Sequence, residues 1–342
     1  MDWGLGIVST ENESFARYWR EEISIYAHWS GNKGDSKNWL NEGLSQIANQ
    51  AAVKNERHLF DGDGMVALSN ANFTELVEHE GGQKIGVITD DDSLMKDLSS
   101  YEKKYLPLTD ETVVCLSGPA DTETEPKKIL KAYRDLLKVG VHTVVLCLSR
   151  STDFSARERQ VKNMLISEYP SRYLGSVPIY ISSDFMGEKA PSGRGPLNLS
   201  LLNAYGQAGM RSCFFDIEQH LKAAGYRGAL FAGNRYGTIS RWVQTRAIDT
   251  ADSVFRSAIS GAAAVASKLK IEKAILLYAD PHMTSLGTID KGEVFENNAS
   301  HVLGIPINAP SAAVLNINEA TVPGIADAAF NYFADKKVEL GA

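Results

Sequence analysis

The sequence predicts an α/β fold. Short apolar runs alternate with helix-periodic stretches along most of the chain, and capping residues mark the joints between them. The balance of 44% apolar and 23% charged residues is that of an ordinary globular protein. Leu5 to Val8 reads as a first strand. Residues 12–29 fit two periods: Phe15, Trp19, Ile23 and Tyr26 a helix, Ile23, Ile25 and Ala27 a strand. The loop 31–36 ends on Ser36, a candidate N-cap for a helix over 37–53 with Leu40, Leu44 and Ile47 on one face. Strands are expected at 84–89, 112–116, 141–148 and 177–182, and helices at 125–138 and 155–166, with Gly140 closing the first of these helices and Asp153 or Ser155 capping the second. A long helix follows over about 198–224, then a strand at 229–232, a turn at 233–237 and a helix from Asp252 to Lys268. The stretch 275–294 reads as strand, polar loop (Tyr278 to Ser285) and hairpin, turning at Lys291-Gly292, and an amphipathic helix is expected near 323–336, with Ile325, Ala329 and Phe333 on one face. Three glycines and two prolines in 186–196 suggest a boundary, giving regions 1–185 and 186–342.

Bulk properties exclude several classes. The 342 residues suffice for about two domains of ~100–200 residues. A net charge of −7 with no basic run argues against nucleic-acid binding. Cys115 and Cys147 lie in apolar strand-like runs, and with Cys213 they make an odd count, so reduced core thiols and a cytoplasmic location are expected. No stretch approaches the ~18 apolar residues of a membrane span, and the start lacks a basic, apolar leader.

Familiar catalytic patterns are absent. The seven histidines are scattered without metal spacing, Ser182-Ser183-Asp184 is not a nucleophile elbow, and the 186–196 loop lacks P-loop spacing. Asp61-Gly62-Asp63-Gly64 reads as a turn. Asp90-Asp91-Asp92 is read as acids opposing a helix dipole rather than as a metal site. Trp3, Trp19, Trp29 and Trp39 crowd the first 39 residues, as core or as interface anchors.

Four stretches taken in order carry a family resemblance: "GGQKIGVITDDDSLMKDL"; "LLKVGVHTVVLCLSRSTDFSARERQVKNML", with Glu158 early in its second helix; "YLGSVPIYISSDF" followed by "NLSLLNAYGQAG"; and "SAISGAAAVASKLKIEKAILLYADPHMTSLGTIDKGEV". Together they resemble the hydantoinase A/oxoprolinase family, which includes the large subunits of acetone and acetophenone carboxylases. The resemblance implies a two-lobed actin-like (ribonuclease H-like) ATPase fold and favours strands for residues 12–29. In that family two hairpin loops with Asp and Gly-Gly-Thr signatures hold phosphates, and a later glycine-rich loop meets the nucleoside. Glycine lets backbone amides approach phosphate, and the Asp holds magnesium.

The sequence departs from that pattern at all three loops. Val8 stands at the first Asp position, with Ser9 and Thr10 opening the segment that replaces the glycines. In the second loop Tyr278 stands at the Asp position, Asp280-Pro281 at the Gly-Gly and Ser285 at a further Asp. Thr284 keeps a hydroxyl, and His282 lies between as a candidate base. Pro281 deletes an amide donor, and Asp280 puts negative charge where phosphate would lie. The third loop is expected near Ile305 to Ser311, where Asn308-Ala309-Pro310-Ser311 replaces the glycines; an upstream His-Gly-Thr-Thr motif is also missing near Leu68 to Ala71. The resemblance, with these losses, implies degenerate nucleotide loops, with no cofactor or metal bound by this chain, and ATP and magnesium held by partner subunits. The expected role is an accessory subunit in a hetero-oligomeric carboxylase, comparable to the small ε subunit of acetophenone carboxylase. The alternative is an ATP-dependent hydantoinase/oxoprolinase-like hydrolase or kinase, with Thr10, Asp280, Thr284 and Arg235 or Lys291 as substitute phosphate ligands.

Overall fold

The computed structural model describes residues 3–9, 13–20, 23–30, 36–53, 60, 64–70, 84–91, 108–109, 111–116, 125–148, 153–170, 177–185, 194–279, 284–294, 296–302, 305–312 and 315–317. It is a mixed α/β molecule. Its first sheet opens with a meander, β1 (Trp3–Ser9), β2 (Glu13–Arg20) and β3 (Ile23–Ser30), so the described part of the ambiguous region 12–29 is strand. Helix α1 (Ser36–Val53) follows, and β4 (Gly64–Asn70) then lies parallel to β1. The pattern in 64–70 was not read as a strand from sequence.

A second sheet is wholly parallel, in the order β6-β5-β7-β8, from β5 (Ile85–Thr89), β6 (Val113–Cys115), β7 (Thr143–Cys147) and β8 (Ile179–Ile181). Helices α2 (Glu125–Lys138) and α3 (Phe154–Glu168) build its core with it, Tyr133, Leu136 and Leu165 clustering with Ile88, Val144 and Leu146. The caps expected from sequence are present: Asp153 accepts from the Ala156 amide at 3.2 Å, and Gly140 takes φ +77°. Glu158 is fully buried. It accepts from the amides of Leu148 (3.0 Å) and Ser183 (2.8 Å) and from Ser182 Oγ (2.6 Å), binding the carboxyl ends of β7 and β8 to α3. Asp90 differs from expectation: its buried carboxylate meets Arg157 at 2.7 Å, and Arg157 also pairs with Glu125. Side-chain pairing, not only a helix dipole, accounts for that acid; Asp92 and the helix expected after it lie outside the described residues.

The 30-residue α4 (Arg194–Ala223) starts four residues before its expected position and takes Gly195-Pro196 into its first turn, where proline's missing amide costs nothing. At ~1.5 Å per residue it is about 45 Å long. Its Leu201, Tyr205, Phe214 and Leu221 share one core with Leu5 and Val66 of the first sheet and Val87 and Val145 of the second. The chain then returns to the first sheet through β9 (Leu230–Gly233), parallel to β4, and β10 (Ile239–Arg241), giving the order β10-β9-β4-β1-β2-β3. A strand from beyond residue 186 thus completes a sheet begun at residue 3.

Helix α5 (Ser253–Lys268) leads to a third sheet of β11 (Lys273–Ala279), β12 (Thr284–Asp290), β13 (Glu293–Val294) and β16 (Leu315–Ile317). Between β13 and β16, β14 (Glu296–Val302) and β15 (Ile305–Ala312) form a separate antiparallel pair. Two expectations are corrected here. The loop expected from Tyr278 to Ser285 shortens, because Tyr278 pairs with Ser285 and Ala279 with Thr284. The third loop is a strand: Asn308 to Ser311 lies in β15, where Ala309 and Pro310 oppose a single β14 residue in a bulge that tolerates proline's missing donor. The helix expected near 323–336 lies outside the described residues.

Candidate functional site at the carboxyl edge of the first sheet

Strands β1, β4 and β9 run parallel, so their carboxyl ends meet at one edge, the usual place for ligands on such sheets. Val8 and Ser9 lie there beside Ser69 and Asn70. Ser69 Oγ is 3.1 Å from Ser257 Oγ of α5. A Cβ at Gly233 would collide with Ser69 Oγ, so glycine is what lets β9 end this close to β4. After β9 the chain makes a turn held by one side chain. Asn234 Oδ1 accepts from the amides of Tyr236 (3.1 Å) and Thr238 (3.1 Å) and from Thr238 Oγ1 (3.0 Å).

A charged cluster supports this edge. Arg246 donates Nε and Nη2 to the two oxygens of Asp249 at 2.7 and 3.0 Å, donates Nη1 to the Asp184 carbonyl at 2.8 Å, and stacks 4.7 Å over Phe185. The fork holds Arg246 against Asp249, and the Nη1 bond ties the segment before α5 to the turn after β8. The Arg235 amide donates to the Asp249 carbonyl at 2.7 Å, and its guanidinium is buried near Asp252. Burial lowers the Arg235 pKa, and the attraction of nearby Asp252 opposes that shift. Asp252 precedes α5 in the left-handed region at φ 57°, a conformation Asp tolerates better than most residues.

The second hairpin repeats the first. Lys273 stands where Trp3 stands and Asp290 where Arg20 stands, an offset of 270 residues kept through all seven paired positions. Ser9 pairs with Ser14 and Ala279 with Thr284, so four residues separate the paired ends in both hairpins. In this register Val8 and Tyr278 are equivalent, each the penultimate residue of its strand. Helix α5 packs between the hairpins' sheets, meeting β4 through Ser257 and β12 through Phe255 and Ile259; a Cβ at Gly287 would collide with Ile259.

The structure thus brings Val8 and Ser9 to the edge and places Tyr278, Thr284 and Ser285 at the matching end of the second hairpin. Ala309 and Ser311 belong to the separate β14–β15 pair. Thr10, Asp280 and His282 lie outside the described residues. Arg235, considered as a substitute phosphate ligand, is buried, and Lys291 occupies the β12–β13 turn at φ 52°. Sequence reasoning missed Arg246, Asp249 and Asp252, and met Ser69 only within Leu68 to Ala71, near the place of the missing motif. The Arg246/Asp249 spacing of three was the one available signal. Among the described residues no group of three or more His, Cys, Asp or Glu could hold a metal ion, and no helix is long and apolar enough to cross a membrane.

Two solved structures share this fold. Nucleotide-free acetone carboxylase, from work on ATP-dependent acetone carboxylation, superposes with a TM-score of 0.73 at 14% identity, covering 92% of this chain and 48% of that one. The ATP-dependent caprolactamase of Pseudomonas jessenii superposes with a TM-score of 0.74 at 16% identity, again covering 92% and 48%. The chain therefore spans about half the length of these neighbours. No family model matches the sequence, and no curated protein does.

Proposed function

We propose that this chain is an accessory, non-ATP-binding subunit of a multi-subunit, ATP-dependent ketone carboxylase of the acetone/acetophenone type, built on a two-lobed actin-like frame. The strand order β3-β2-β1-β4-β9, with β1–β3 antiparallel and β1, β4 and β9 parallel, supports the ribonuclease H-like reading of the first lobe. The repeated hairpin supports a second, related lobe beginning at β11. The acetone carboxylase likeness supports the carboxylase class.

The observation that carries the reading is the shared register of Val8 and Tyr278. Both stand at the position where the resemblance implies a magnesium-holding Asp, and neither side chain is a carboxylate. Without those ligands the ~−4 charge of a nucleoside triphosphate has no metal to offset it at either hairpin. ATP and magnesium would then be used by partner subunits, with this chain completing or positioning the assembly. The caprolactamase likeness sustains the alternative, an ATP-dependent hydrolase or kinase with an atypical pocket. Calorimetry with MgATP separates the two. The accessory reading expects no saturable heat up to millimolar nucleotide, and a micromolar Kd for the isolated chain overturns it.

A further inference from the structure

The two hairpins continue alike. Strand β3 lies antiparallel on the far side of β2, and β16 lies antiparallel on the far side of β12. Residues 31–35 then connect β3 to α1, and the amphipathic helix expected near 323–336 begins a similar distance after β16. In the first sheet α1 supplies the cover: its Leu40, Leu44 and Ile47 share a cluster with Leu5, Ile7, Ala16 and Ala27 of the three meander strands. Leu5 and Ile7 are 1% and 2% exposed, whereas Ile275 and Leu277, in the same register of β11, are 47% and 54% exposed. The other face of the third sheet is taken already, by α5 against Ala274, Leu276, Ile289 and Val294. The register of the exposed face is apolar across three strands, since Leu277 pairs with Leu286 and Leu286 with Leu315. An apolar sheet face left in water marks an interaction site.

We infer that this face is the docking site of the chain's own residues 323–336, which lie outside the described residues and settle on it as α1 settles on the first sheet. Position and pattern select that occupant. The segment follows β16 as α1 follows β3, so a short connection from residue 317 holds it over the face at high effective concentration. Its apolar residues Ile325, Ala329 and Phe333 recur at the spacing of one helix face, as Leu40, Leu44 and Ile47 do in α1. At ~100° per residue, Asp327 and Asn331 fall on the opposite side, which such docking leaves in water. The inference rests on the repeated hairpin, and neither on the accessory reading nor on the state of the nucleotide loops.

The test uses the full chain with one thiol placed on the face by Leu277→Cys. Its maleimide labelling is followed in the tryptic peptide 274–291, which holds no native cysteine. Labelling should be about tenfold slower or more than in the same chain carrying Ile325→Asp and Phe333→Asp, with buried Cys147 still protected in both as the mark of an intact fold. Equal rates at position 277 overturn the proposal. A second measurement needs no charge on the stripe. Leu277→Cys is combined with Ala329→Cys, or with Asn331→Cys on the opposite side. Mild oxidation should close a disulfide within one chain about tenfold more readily, or better, for the first pair than for the second. Equal closure of the two pairs overturns the proposal. Disulfide-linked dimers through position 277 in place of the internal bond would assign the face to a second copy and overturn it too. Tight MgATP binding with the internal disulfide forming as expected would sink the accessory reading and leave the docked segment standing.

Discussion

The hairpins β1–β2 and β11–β12 have the same ladder length, the same register and the same number of residues between their paired ends, yet among the described residues the first is interior to its sheet and the second has β11 at an edge. The first is flanked by β3 and β4, with its core-facing side chains in the same cluster as Leu40, Leu44 and Ile47 of α1. The second rests on α5 through Ala274 and Leu276, and the alternating Ile275 and Leu277 are exposed. The local backbone is therefore set by pairing and turn length, while burial is set by what arrives later in the chain. Identical local geometry does not give identical energetic worth.

The largest expected effect is on the interior hairpin. Ile7→Ala should cost about 2–4 kcal/mol in urea denaturation, since it empties a site in the main core. A cost under ~1 kcal/mol would mean that β1 is no better supported than β11. Next comes the joint between the hairpins. Gly287→Ala should destabilise by about 1–3 kcal/mol, because the added methyl meets Ile259 and, at 3.0 Å, Phe255 of α5. An unchanged midpoint would show that α5 is free to lift off the second sheet.

Cys147, on β7 of the second sheet, gives a reference. Burial pushes its thiol up to about 12, so the folded chain keeps a proton that the unfolded chain releases from about pH 9. The stability contributed is complete below pH 9 and is lost as pH rises toward 12. Wild type should lose about 1 kcal/mol more than Cys147→Ala between pH 9 and 10. Parallel pH profiles for the two proteins would contradict that burial. The smallest effect belongs to the exposed face of β11. With Ile325→Asp and Phe333→Asp in place, Leu277→Ala should change stability by less than ~0.5 kcal/mol, and a larger loss would show that something other than residues 323–336 covers the face.

Local elements were legible where one rule acts alone. The helix at 125–138, the Asp153 cap and the left-handed Gly140 follow from periodicity and backbone sterics, which need no distant partner. Strand β4 was not, because Gly64 to Asn70 has no clean alternation and becomes a strand by lying between β1 and β9. Asn308 to Ser311 misled in the opposite sense: the family resemblance placed a loop there, and pairing with β14 through a bulge made it a strand.

The same division applies to the candidate site. The sequence alone determined that residues 8 and 278 carry no carboxylate, since side-chain chemistry does not depend on folding. It also determined that three cysteines cannot all pair within one chain. Only the tertiary structure decided that one register, offset by 270 residues, runs through all seven pairs of both hairpins, that Arg246 ties the segment before α5 to the turn after β8, and that Ile275 is exposed where Leu5 is buried. Those outcomes depend on strand pairing between segments far apart in sequence, and no local propensity encodes which edge a later strand will find.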